Sequence, residues 1–137
     1  MHHSIAEWIA QLVSTQPELR RAAAVALGNS NAPAAVGPLI SALDDAERDV
    51  RFEAACALGS LADPRATAPL VVVLRTDVDA GVRAEAAQAL GLIGQASAEE
   101  ALGQAHRHDH HPRVRGVAGW ALHQVVATPG RRPRRER

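Results

Sequence analysis

The stretch Val50–Gly59, VRFEAACALG, returns at Val82–Gly91 as VRAEAAQALG. A looser copy stands at Leu19–Gly28, LRRAAAVALG, and a diverged one at Val114–His123, VRGVAGWALH; the starts are 31, 32 and 32 residues apart. A period of that length holds two short helices and their turns. One such unit cannot bury its own apolar face, so the units must stack into a continuous core, and about three are needed for stability.

The segments between the copies carry a second helical pattern. Val36, Leu39, Ile40 and Leu43 recur at helical spacing, as do Thr67, Leu70, Val71 and Leu74, and Ile5, Trp8, Ile9 and Leu12 open the chain the same way. Ser4-Ile5-Ala6-Glu7, Thr15-Gln16-Pro17-Glu18 and Ser97-Ala98-Glu99-Glu100 read as capping boxes. Asp63-Pro64 supplies an N-cap and a proline at the first helical position. The reading is eight helices in alternation, the repeated motif on A-type helices and the intervening pattern on B-type helices, in the order B, AB, AB, AB, A. The expected architecture is all-α, a right-handed α-solenoid of about four units spanning 4–127. Residues 1–3 are a loose start and 128–137 an Arg-rich disordered tail.

Each repeated column has a physical reason. The paired alanines let helices approach closely, and Leu27, Leu58, Leu90 and Leu122 fill the core. Gly28, Gly59 and Gly91 permit close backbone contact or helix exit. Arg20, Arg51, Arg83 and Arg115 form one column, and Asp45, Asp77 and Asp109 another. These predict a ladder in which each Asp caps a helix and pairs with an Arg of its own or a neighbouring unit. Pro38 and Pro69 fall past the first turn of their helices, where a slight kink is expected.

These columns resemble the HEAT-repeat superfamily, and in particular the short HEAT-like repeats named after phycobilisome lyases. The match is Val50, Arg51, Ala54, Ala55, Ala57, Leu58, Gly59, Pro69, Leu70 and Leu74, recurring from Val82 to Gly91. The resemblance implies the solenoid fold and is weak on function, because the repeat serves scaffolds, lyase subunits and hydroxylases alike. In the related deoxyhypusine hydroxylases a His-Glu pair following Val-Arg binds a di-iron centre. Here those positions are Phe52-Glu53, Ala84-Glu85, Arg21-Ala22 and Gly116-Val117, so every such histidine is missing and Glu53 and Glu85 are expected to be solvated.

Composition narrows the rest. There is no apolar run of bilayer length and no signal peptide, which points to a cytoplasmic protein. Cys56 is the only cysteine, so no internal disulfide can form. Formal net charge is zero, yet five of the last seven residues are Arg, leaving the body mildly acidic. No nucleophile–base pair or phosphate loop is found, and no cofactor is implied. On the resemblance, the B-type helices line the concave side, and the residues expected to face outward there include no Arg. Nucleic acid is therefore a poor partner, except weakly through the tail.

What remains is a non-catalytic scaffold or adaptor that docks a protein or peptide along the B-helix face. Val72 and Val73 are central to it, with Pro69 and Ala42 beside them and Gln11, Ser41, Gln104 and His108 at the flanks. Trp120, on the last helix, either covers the end of the array or meets a partner. The alternative is a lyase-like accessory subunit, or a metal site at His106, His108, His110 and His111 around Asp109.

Overall fold

The computed structural model describes residues 3–127. Among them are eight α-helices: α1 (Ile5–Gln11), α2 (Pro17–Gly28), α3 (Val36–Ala42), α4 (Arg48–Leu61), α5 (Thr67–Thr76), α6 (Ala80–Ile93), α7 (Glu99–His108) and α8 (Pro112–Val126). Short 3-10 turns at Pro33–Ala35, Pro64–Ala66 and Ala96–Ala98 lead into α3, α5 and α7. These turns remove the conflict posed by proline. Each α-helix begins at Val36 or Thr67, so Pro38 and Pro69 lie in the first turn, where a missing N–H breaks no helical bond.

The helices form two layers, α1, α3, α5 and α7 in one and α2, α4, α6 and α8 in the other. Within the stack each short helix packs most closely on the long helix that follows it, α1 on α2 through α7 on α8. The packing unit is therefore a B–A hairpin, and the eight helices make four complete units rather than three flanked by two halves. The core runs between the layers and is built from small and branched residues: Leu27, Leu58 and Leu90 of one layer against Leu39, Leu70 and Leu102 of the other, all fully buried. Each of these leucines stabilises the fold by about 1.5–3 kcal/mol.

The glycine column sets the spacing of the long-helix layer. A Cβ built on Gly28 would lie 2.9 Å from Ala57, one on Gly59 3.0 Å from Ala89, and one on Gly91 2.9 Å from Ala121. Close approach, not helix exit, is what these positions require. The left-handed exits fall elsewhere, at Asn31 (φ 53°), Ala62 (φ 51°) and Gly94 (φ 77°). No comparable contact draws the short helices together, and the long-helix layer is much the more closely packed. The tight layer of α2, α4, α6 and α8 is termed the inner layer and the looser layer of α1, α3, α5 and α7 the outer layer.

Two of the three expected capping boxes do not form. Ser4 Oγ accepts from the Glu7 N–H, as expected. Gln16 caps α2 without a side-chain bond, and Ser14 Oγ instead accepts from the Gln16 N–H. Ser97 lies inside a 3-10 turn, and α7 starts without a side-chain cap.

Candidate binding surfaces

The Arg and Asp columns meet as a forward-reaching ladder. The Arg20 fork holds Asp45 through Nε to Oδ2 at 2.8 Å and Nη2 to Oδ1 at 3.1 Å. Arg51 holds Asp77 at 2.9 and 3.3 Å, and Arg83 holds Asp109 at 3.0 and 3.2 Å. Each arginine thus grips the hairpin turn of the next unit. Its remaining Nη1 donates back to its own turn: Arg20 to the Ser14 carbonyl (2.8 Å), Arg51 to that of Asp45 (3.1 Å), Arg83 to that of Asp77 (2.8 Å). The aspartates also accept the N–H two residues on, from Glu47, Asp79 and His111. Burial lifts the Asp45 and Asp109 carboxyls, but the arginine and backbone donors outweigh it and hold both below the ordinary carboxylate range. The bidentate geometry is the strong form of this interaction.

The inner layer presents a mixed surface. Val25, Leu92 and Trp120 are 40%, 50% and 44% exposed. Trp120 lies against Gly91, which has no side chain to displace it, and borders a shallow hollow of about 360 Å³ with Gln88, Gly116 and Val117. Glu53 and Glu85 are on this layer and are half-buried, not solvated. Glu53 meets Arg21 at 3.5 Å. Burial pushes the Glu85 carboxyl up, opposed by Arg113 and reinforced by Glu53. Burial, then the charges of Glu85 and Glu53, push the Cys56 thiol up.

On the outer layer the residues singled out from sequence separate. Val73 and Ala42 are buried, at 7% and 8% exposure, and belong to the core. Successive helical residues are about 100° apart, so Val72 faces out (58% exposed) while Val73 faces in. Pro69 is half-buried. Gln11 Nε2 donates to the Leu19 carbonyl at 2.8 Å, tying α1 to α2. Ser41 Oγ turns back toward the Gly37 carbonyl, Gln104 accepts from Arg75, and His108 is exposed. Two exposed valines absent from the expected strip, Val13 (83%) and Val78 (91%), stand in the turns after α1 and α5. Val13 lines a hollow of about 650 Å³ between α1 and α3, and Val78 one of about 300 Å³ beside α5. They escaped the pattern analysis because they lie in turns, where helical columns do not apply.

The histidines of the α7–α8 turn are distributed among structural tasks. His106 Nδ1 is 3.0 Å from the Arg115 carbonyl, so that nitrogen carries the proton and donates. His111 is the N-cap of α8, its Nδ1 accepting from the Arg113 N–H at 3.1 Å. Helix α7 ends at His108, so His106 and His110 do not share a helical face. Among the described residues no group of three or more His, Cys, Asp and Glu side chains is placed to hold a metal ion. The Arg-rich tail lies outside the described residues. No described helix is long and apolar enough to cross a membrane.

Stacked two-helix units joined by an interlocking Arg–Asp ladder define the class of helical-repeat solenoids. The profile of HEAT repeats matches residues 5–91 and again 68–131. The chain belongs to the HEAT-repeat family. No curated protein matches it. Among solved structures it is similar to the complex of CpcE and CpcF of phycocyanin lyase from Nostoc sp. PCC7120, at 30% identity and a TM-score of 0.80 over 93% of this chain and 55% of that one. Human deoxyhypusine hydroxylase in complex with glycerol is similar at 28% identity and 0.79, over 90% of this chain and 44% of that one. An engineered protein matches at 26% identity and 0.68, over 88% of this chain and 62% of that one. The chain thus spans about half the length of the two natural proteins.

Proposed function

We propose that the chain is a non-catalytic protein-binding module that docks a protein partner on its inner, long-helix layer. The observation that carries this is Trp120, a large aromatic left 44% exposed on that layer, beside a hollow, in a chain whose aromatic content is 2%. Tryptophan is over-represented among the residues that dominate interface energies, and it anchors best where a partner excludes water around it. Leu92 and Val25 extend apolar surface along the same layer, with Arg21, Glu53 and Gln88 supplying polar contacts. The outer-layer set around Val72, with Gln11, Ser41, Pro69, Gln104 and His108, is the competing surface.

The two surfaces are separated by paired baits. Wild type, Trp120→Asp and Val72→Asp, each checked for an unchanged circular dichroism melt, are used to recover partners from the source organism. Trp120→Asp should lose the partners that wild type retains, and Val72→Asp should keep them. The opposite pattern assigns docking to the outer layer, and equal recovery by all three rejects both.

A second reading, an accessory subunit of a lyase-type assembly, draws on the similarity to the CpcE–CpcF complex. It requires the partner to be another helical-repeat subunit. Recovery of only non-repeat proteins would reject it.

A further inference from the structure

We propose that the turn between α7 and α8 is a receptor for an acidic peptide segment of a partner protein, with the Arg115 guanidinium taking one of its carboxylates. The argument starts from the ladder. In three units the arginine Nη1 is fixed by the carbonyl six residues earlier, and that anchorage aims Nε and Nη2 at an aspartate of the next unit. Arg115 repeats the anchorage: its Nη1 donates to the Asp109 carbonyl at 2.8 Å and to that of His110 at 3.2 Å. Its side of the ladder ends there, since no described carboxylate pairs with it. The fork is held in the pose that binds a carboxylate in every other unit. Pre-orientation of this kind removes much of the ordering cost of binding.

Charge at the turn fits the same ligand. His108, His110 and Arg113 are exposed around it, and its one acid, Asp109, is taken by Arg83. Arg113 lies near Glu85, whereas Arg115 has no described carboxylate partner. Two further positions decide the form of the ligand. Gly28, Gly59 and Gly91 admit the next long helix, but the fourth position of that column is His123, which is exposed and stands where such a helix would pack. A fifth stacked hairpin is thereby disfavoured. A second copy of the chain is disfavoured too, because its first turn carries Ser14 in the aspartate column and offers a hydroxyl where the fork requires a carboxylate. A loop or extended segment bearing Asp or Glu meets both constraints.

The test uses the full chain labelled with ¹⁵N-arginine and an N-acetylated, C-amidated six-residue peptide alternating Asp and Ala, with the Asn–Ala peptide as control. The Arg115 Nε–H signal should shift saturably with the Asp peptide alone, while those of Arg20, Arg51 and Arg83 stay in place. Arg115→Gln should weaken binding about tenfold. Arg115→Lys, which keeps the charge and loses the fork, should also weaken it. Arg75→Gln and Trp120→Asp should leave it unchanged, so failure here is distinct from failure of the inner-layer docking reading. No saturable Arg115 shift up to about 5 mM peptide, equal response to the Asn peptide, equal movement of all four arginines, or full binding by Arg115→Lys would each overturn the proposal.

Discussion

Replacing Arg83 with Ala tests the last closed rung of the ladder. Arg83 and Asp109 side chains are 15% and 10% exposed, between a surface pair worth under about 1 kcal/mol and a fully buried one whose rupture costs about 3–5 kcal/mol. The substitution removes two charge-assisted bonds to Asp109 and one to the Asp77 carbonyl, and it leaves Asp109 with only the His111 N–H. The expected loss is about 2–3 kcal/mol. For a chain of this size that lowers Tm by roughly 6–15 °C. The loss also depends on pH. The folded Asp109 carboxyl sits below its unfolded value of about 3.9, so the pair's contribution is fully present above that pH. It declines as pH falls through the lower folded value, and the gap between wild type and variant should narrow accordingly. Thermal melts followed by circular dichroism from about pH 7 down to pH 3 measure both effects. Arg75→Ala, an exposed control on α5, should change stability by less than about 0.5 kcal/mol. A drop below about 2 °C for Arg83→Ala at pH 7, or a gap that widens in acid, would refute the ladder as a stabilising element.

Three further outcomes follow from single sites. Thr67 Oγ1 is buried with no hydrogen-bond partner, while the preceding unit has Val36 at that position, so Thr67→Val should stabilise by about 1 kcal/mol in a chemical denaturation curve. Ala62 ends α4 in the left-handed region where the next unit has Gly94, and Ala62→Gly should gain about 1 kcal/mol in the same assay. The raised Cys56 thiol should alkylate with iodoacetamide at pH 8 more slowly than free glutathione, and Glu85→Gln should speed it; a wild-type rate equal to glutathione's would contradict that environment.

The repeat period carried most of the fold. The 31–32-residue spacing of VRFEAACALG and its three copies placed all eight helices, and the Arg and Asp columns foretold the ladder, because each partner occupies a fixed place in its unit. The difference in packing between the two layers was not legible. It depends on how closely Gly28 meets Ala57 and Gly59 meets Ala89, contacts between residues about thirty apart whose effect on layer spacing no local pattern records. Val72 and Val73 differ by a single helical step, and apolar periodicity in a short valine run cannot tell which of the two faces out. The histidine cluster looked dense in sequence because adjacent residues are near by definition. In space His106 turns to α8 and His111 caps it.

The forward reach of the ladder has a consequence for how such a chain can change length. The forks of Arg20, Arg51 and Arg83 and the notches at Gly28, Gly59 and Gly91 are each read by the unit that follows. Duplication or loss of one whole period therefore leaves each surviving junction with a matched partner, and copy number can drift without compensating substitutions elsewhere. Ser14 and His123 are the exceptions, since each interrupts its column. They make the junctions of the first and fourth units unlike those of the second and third, which follow one pattern.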